Sequence, residues 1–557
     1  AKDIAGAPLP LLTRLMDRAL LARVGEGRYD LHEVVRQLAR QKLGDSGQEA
    51  MVRRVHSQWY LAFVARQTPR LKGAEQEQAV IGLEEERENV RAAWHWAAQN
   101  REIGLLQQAV EALGIFYNRP GQWAEGEALT DAAIRALSDS ASAEASLLLV
   151  WLLTWQGIHL QQGQKGELAQ ARMTQALELT AHPALAGIDV RSVQALLSLF
   201  SNGVEAEYRR PGAFARSLRR AVELFEEVND RWWLVRAQLE LGNLEFWSGN
   251  TRQAKQRISA SRQIAQQIDD HIGLAHALNV SSLMAECTGD FSAAQRFIEE
   301  RRTLRIEQPL RFTIWDRTPW VAISQGQFQE ALDGLTASLL DEQRLGVGPE
   351  HTQIGINGLA RAHVHLGNFQ QAYRLATSAA DLWTQAYGEE NLFILRTVGR
   401  ALLGEGKHTE AQQLLSRLRA EHQKKGDDDL FSLGGAFIEE IYPFLLLGDL
   451  AQARHCLMEG LRVTSQTGAY RFTVQALPAA ALLLALNERL EEAAYIHGLI
   501  QRYPYLTNSR FYAKIALDRL AELLASLPPD MRAAAEERGR ARELPEMTAE
   551  LLELLGK

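Results

Sequence analysis

HVHLGNFQQA, residues 363–372, and LLGDLAQA, residues 446–453, share one pattern: an apolar helix end, a glycine, a polar residue, then an alanine five positions beyond the glycine. Working outward from Gly367 and Gly448, the same pattern recurs at Gly406, Gly326, Gly289, Gly249 and Gly121, and in weaker form at Gln164, Arg209 and Glu488. The ten anchors are spaced 37 to 45 residues apart, a period of about 41, which is the range of helical solenoids. Five residues past the anchors stand Gly126, Ala169, Phe214, Ala254, Ala294, Ala331, Ala372, Ala411, Ala453 and Ala493. Small residues return at offset twelve in Ala133, Ala176, Ala221, Ser261, Ser338, Ala379 and Gly460. Offsets five and twelve differ by two helical turns, so they form one stripe where a paired helix approaches closely. Gly114, Gly157, Gly242 and Gly399, seven residues before their anchors, supply the facing side of that approach.

The composition agrees with helix almost throughout. In 557 residues there are 15 prolines, 46% hydrophobic and 23% charged residues, with Ala, Leu, Glu, Gln and Arg abundant. Cys287 and Cys456 are too few for a disulfide framework or a zinc site, and suggest a reducing compartment. The apolar stretches 147–153 and 477–486 are shorter than the roughly 18 residues a membrane span needs. No signal peptide is evident, and a cytoplasmic location is expected. The net charge is −8, with residues 1–101 at +3 and the remainder at −11, so most of the chain should repel nucleic acid. The chain opens at Ala1 without a methionine and is expected to be part of a longer protein.

The repeats resemble the tetratricopeptide repeat in its lengthened form of about 40 residues. Ahead of them, residues 9–43 read as a helix, a short strand pair turning at Gly25-Glu26-Gly27, and a helix from near His32, which is most of a winged helix. LEEERENVRAAWHWAA, residues 83–98, reads as one amphipathic helix carrying Asn89 and Trp94 and opening into the array. Together with residues 497–555, which look like a terminal cap, these features resemble the region that follows the nucleotide-binding domain in STAND-class signal-transduction ATPases. That class is related to NB-ARC regulators and to the maltose-responsive transcription activator. The expected organisation is a winged-helix remnant at 1–47, connecting helices at 48–101, about ten repeats at 102–505 and capping helices at 506–557. The expected fold is all-α, a right-handed repeat superhelix.

Enzyme chemistry is not expected. No phosphate-binding loop of the form G-x-x-x-x-G-K-[ST] exists; Gly404-Glu405-Gly406-Lys407-His408 lacks the first glycine and the hydroxyl residue. His363 and His365 are two apart and diverge on a helix, and adjacent His455 and Cys456 do not face each other, so neither pair makes a metal or nucleophile site. No metal or cofactor is expected in this chain; by the resemblance, ATP and Mg belong to a nucleotide-binding domain upstream.

A ligand is expected on the inner wall made by the first helices, at offsets −10, −6 and −3 from each anchor, which share a helical face. The wall residues singled out are Asn243, Trp247, Asn279, Asp316, Trp320, Asn357, Arg361, Arg396, Arg400 and Tyr442. Arg361, Arg396 and Arg400 come from neighbouring repeats, and guanidinium forks suit carboxylate or phosphate. Two readings stay open for them: holding an anionic ligand, or pairing with carboxylates of the adjacent repeat. The resemblance implies the sensor half of a STAND regulator, monomeric as this fragment, binding an activating ligand (small molecule, peptide or protein) and controlling an intramolecular NTPase module. The alternatives are a constitutive protein-interaction scaffold and DNA binding through Arg36, Arg40 and Lys42 of the second winged-helix helix.

Overall fold

The computed structural model describes residues 6–25, 28–119, 121–137, 142–163, 165–200, 212–304, 316–344, 349–424 and 426–556. Among these the chain is helical apart from one two-stranded hairpin, and it divides into two compact units, Ala1–Ala206 and Glu207–Lys557. Numbering the helices in twos by their anchors, from Ile103–Tyr117 and Trp123–Leu137 as pair one to Tyr470–Leu486 and Leu490–Ile500 as pair ten, the second unit holds pairs four to ten. This is an all-α helical-repeat solenoid of tetratricopeptide type.

The anchors are where the first helix of a pair ends. Gly121, Gly249, Gly289, Gly326, Gly367, Gly406 and Gly448 all hold φ between +78° and +86°. That left-handed conformation is open to glycine at little steric cost. Glu488 takes the same turn at φ +63° without being glycine; Gln164 and Arg209 lie outside the described residues. In each described turn of the second unit the next residue donates its N–H back to the last helical turn, as Asn250 does to Glu245 O at 2.8 Å and Arg489 to Leu484 O at 3.0 Å. Aspartates then start the next helix: the side chains of Asp230, Asp270, Asp290 and Asp449 accept the N–H three residues on. The alanine stripe at offset five is completely buried from Ala254 through Ala493, so paired helices meet with no room for a larger side chain.

In the first unit, helix Leu9–Asp17, strands Ala22–Gly25 and Arg28–Asp30, and helix Glu33–Asp45 follow in order. The strands pair antiparallel, Ala22 opposite Asp30; Glu26 and Gly27 of the expected turn lie outside the described residues. Arg28 ties the hairpin down, donating to Glu86 Oε1 at 2.7 Å and to the Glu85 carbonyl at 2.6 Å. The single helix expected over 83–98 is two helices, Gln76–Glu85 and Arg87–Gln99. The break falls at Glu86, whose carboxylate is held by Arg28 and by Asn89. Trp94 is buried and donates its indole N–H to Leu129 O at 2.9 Å, which fixes this segment onto the first repeat pair.

The second unit departs from an open array. Residues between Thr467 and Lys514 run along the turns of successive pairs. Thr251 Oγ donates to Thr467 O at 3.1 Å, Gly289 packs under the Tyr470 ring, and Asn508 donates to Gly326 O at 3.2 Å. Gly367 then meets Arg510, and Lys514 donates to Gly404 O at 2.7 Å. The anchor glycines are needed here for space as well as for φ: a Cβ on Gly326 would stand 2.5 Å from the Pro504 carbonyl carbon. Helix Leu490–Ile500 and helix Pro529–Arg540 also cross backbone on backbone, since a Cβ on Gly498 would meet Glu536 O and one on Gly539 would meet Tyr495 O. One continuous hydrophobic core results, from Val235 to Leu555.

Helix Leu430–Leu447 is long and apolar enough to cross a membrane, which the expectation from stretches 147–153 and 477–486 passed over. Two thirds of it is buried inside the unit, and its central Glu439 and Glu440 are ion-paired, as suits a core helix.

Candidate functional site

The first helices of pairs five to ten, together with residues 504–512, enclose a cluster of buried charge. Glu439 accepts from Arg396 through Nε at 2.7 Å and Nη2 at 3.0 Å, and also from Arg400. Arg400 reaches Gln475 Oε1 at 3.1 Å, and Gln475 donates to Tyr505 Oη at 2.8 Å. Burial favours the neutral acid at Glu439, but the two guanidiniums outweigh it and hold the carboxyl down at about 2. A second carboxylate, Glu286, is shared in the same way by Arg317 and by Arg471 at 3.4 Å, and accepts the Ser324 hydroxyl at 2.6 Å.

Arg361 is different. It is 4% exposed, and among the described residues no acceptor lies within hydrogen-bond distance. Its guanidinium instead lies over the Trp320 ring at 5.2 Å and the Phe393 ring at 5.5 Å. Burial, then the like charges of Arg471 and Arg400, pull it down to about 9. One turn earlier on the same helix, Asn357 is completely buried and both atoms of its amide lack partners; Gln353 Oε1, Ser282 Oγ and Asn279 Oδ1 are also buried without partners. Buried polar groups are ordinarily satisfied, so these atoms stand out together on the inner wall. Five guanidiniums here face two carboxylates; each carboxylate contacts two of them, and Arg361 contacts neither and feels Glu286 only at longer range.

Several expected wall residues take other roles. Arg396 and Arg400 join pair eight to pair nine through Glu439, the pairing with a carboxylate of the adjacent repeat that was one of the two readings. Asp316 lies ahead of helix Thr318–Ser324, where it accepts from the Thr318 N–H at 3.1 Å and pairs with Arg301 and Arg302. Asn243 accepts the Trp247 indole N–H at 3.1 Å, and Trp247 packs edge-on against Phe431 at 5.4 Å. Tyr442 is buried, its hydroxyl donating to Gln475 O at 2.5 Å. Trp247 and Tyr442 therefore pack against later parts of the chain, Trp247 on Phe431 and Tyr442 on Gln475 and Tyr512. Asn279, Trp320, Asn357 and Arg361 remain together on the inner wall.

Arg471 and Gln475 were missed, although a signal was present. Counting back seven residues from offsets −10 and −6 of the tenth anchor, two turns along the same stripe, reaches both. Beside Arg471 lies a cavity of about 340 Å³ lined by Phe291, Ser324, Tyr470, Arg471, Tyr503 and Tyr505 among others. His365 is buried on the far side, stacked on Phe328 at 4.4 Å with its Nδ1 at 2.8 Å from Ser509 Oγ, and burial holds it neutral. The thiols are free and buried, which pushes Cys287 up to about 11 and Cys456 to about 12, as suits packed side chains and not nucleophiles. No group of three metal-ligating side chains occurs among the described residues.

No family model matches the chain. Proteins of Mycobacterium bovis and Mycobacterium tuberculosis, provisionally named as HTH-type transcriptional regulators, are 29% identical over 308 residues, covering 52% of this chain. The match spans a third of those relatives' own length. Among solved structures, a Rap protein complexed with competence and sporulation factor aligns over 72% of this chain and 99% of its own at 13% identity and TM-score 0.35. A STAND protein with a tetratricopeptide repeat sensor from Pyrococcus horikoshii aligns over 80% of this chain and 74% of its own at 11% identity and TM-score 0.34. These scores are low, and the fold assignment stands on the turns and pairs of the chain itself.

Proposed function

We propose that this chain is the signal-receiving part of a larger regulator of STAND type, taking up an activating ligand on the inner wall of its second unit and controlling an NTPase module outside the chain. The observation that carries this reading is the buried guanidinium of Arg361, with no hydrogen-bonded acceptor among the described residues, beside the unsatisfied amide of Asn357. Leaving a buried charge without a partner costs several kcal/mol, and a scaffold built only to present its outer surface has no use for that cost. The partial match to transcriptional regulators supports a place within a regulatory protein. Leu9, Val24, Val34 and Leu38 are exposed on the amino-terminal helix–hairpin–helix, which supports docking of that end against another module. The DNA-binding alternative is weaker, because Arg36 is engaged by Asp30 at 2.5 Å and by Glu33 at 3.5 Å.

The test is deletion of residues 207–557 from the full-length protein. Nucleotide turnover or assembly should become independent of the activating signal; unchanged signal dependence would leave the sensor reading without support and favour the scaffold.

A further inference from the structure

The cavity beside Arg471 and the partnerless guanidinium of Arg361 belong to one electrostatic system. Arg471 lines the cavity, Arg361 and Arg400 repel it and each other, and Glu286 offsets part of that repulsion at Arg361. Arg471 is 9% exposed, lines the cavity, and has a buried Nε without an acceptor; its one acid contact, to Glu286, is long at 3.4 Å. On the other walls the cavity offers aromatic surface from Phe291, Tyr470 and Tyr503, with Phe291 edge-on to Tyr470 at 5.9 Å and Tyr470 edge-on to Tyr503 at 6.2 Å. Its size, about 340 Å³, lies at the lower end of the range for small-molecule sites.

We infer that this cavity takes a small organic anion, a phosphate or carboxylate carried on a ring or short apolar body. The anionic oxygens are held by Arg471 and compensate Arg361 behind it, while the body lies among Phe291, Tyr470 and Tyr503. Two features argue for an anion and against a neutral ligand. A neutral molecule would leave the excess of positive charge in place, and guanidinium forks bind planar or tetrahedral oxyanions through paired N–H donors. The volume argues for a small ligand and against a folded partner. This inference rests on the reading of the second unit as a ligand receiver and names the chemistry of what it receives.

Phenyl phosphate and phenylacetate serve as probes for the two sources of the anion, with inorganic phosphate and benzyl alcohol as the anion-only and ring-only controls. At millimolar concentration at least one of the two anionic probes should raise the melting temperature of the 557-residue chain saturably, and more than either control does. Arg471→Gln and Arg361→Gln should each weaken that binding about tenfold or more, whereas Arg471→Lys, which keeps the charge, should retain part of it. Circular dichroism checks that each variant is folded, and calorimetry on Arg361→Gln covers the case in which Arg471→Gln is not. Absence of a saturable effect from both anionic probes, or equal binding in folded Arg361→Gln, overturns the site while leaving a macromolecular signal for the sensor. Binding that is present but leaves the full-length protein's nucleotide turnover unchanged removes the sensor reading and keeps the site.

Discussion

Glu439 and Arg396 face each other across pairs eight and nine in a two-pronged contact, Nε at 2.7 Å and Nη2 at 3.0 Å, with neither side chain more than 7% exposed. Arg400 shares the same carboxylate, so a single acid neutralises two guanidiniums. Glu439→Gln should therefore cost about 3–5 kcal/mol in urea denaturation, the loss expected when one partner of a buried pair is removed. Adding Arg396→Met should recover part of it, because the orphaned charge goes too. A loss below about 1 kcal/mol would mean that solvent reaches the pair.

Acid should weaken the protein in two stages. Burial keeps His365 neutral well below its ordinary range, aided by the charges of Arg400 and Arg361, while the unfolded chain binds that proton below about 6.5. The folded state thus binds fewer protons, and stability falls as pH drops from about 6.5, by up to about 1.4 kcal/mol per unit for each such histidine. Glu439, held at about 2, contributes stability that is complete above about 4.5 and lost as pH falls towards 2. Urea midpoints at pH 7, 5 and 3 separate the stages; His365→Asn should make the first shallower without abolishing it, since burial also lowers His159 and His276 to about 4, and Glu439→Gln should flatten the second. A flat profile from pH 7 to 5 in the parent chain would contradict the first stage.

Two turn glycines with nearly the same backbone should respond differently to alanine. Gly406 has φ +84° and open space around a Cβ, so Gly406→Ala should cost about 1–2 kcal/mol from the left-handed conformation alone. Gly326 has φ +81° and the Pro504 backbone against it, which adds about 1–3 kcal/mol of overpacking. Equal melting temperatures for the two variants would show that the carboxy-terminal segment does not press on this turn.

Removing residues 501–557 should abolish cooperative unfolding of the second unit. The deletion takes away Tyr505, Leu506, Phe511, Tyr512 and Leu520, all buried against earlier pairs, and leaves inner faces open to water. Limited proteolysis and thermal melts report the outcome; an unchanged midpoint and slope would show that the pairs stand by themselves.

The repeat register was legible because each anchor joins two independent demands, a left-handed turn and a small residue five positions on, and both recur in sequence at a fixed offset. Gly249 through Gly448 could be read as turns for that reason, and Glu488 could be placed by spacing although it lacks the glycine. The filling of the groove was not legible, because Thr467, Tyr470, Pro504 and Arg510 meet partners in pairs four to seven through shape, and no periodicity links residues so far apart. Within the site, Arg361 and Asn357 could be placed on the inner wall, yet sequence could not show that Arg361 would lack an acid while Arg396 and Arg400 shared one. That distinction depends on which carboxylate each side chain reaches after packing. Asp316 was misplaced by half a turn of reasoning: the helix it was assigned to starts two residues later, at Thr318.

The contact between Gly326 and Asn508 spans 182 residues, which sets an order of events during synthesis. At about 5–20 residues per second, the ribosome adds the residues that close the groove roughly 10 to 35 s after it has added the turn they rest on. Throughout that interval the inner faces of pairs four to eight are open to solvent or to a chaperone, with Arg361 and its neighbours solvated. A molecule that binds those faces while they are still bare can be enclosed as the residues from Thr467 to Lys514 arrive.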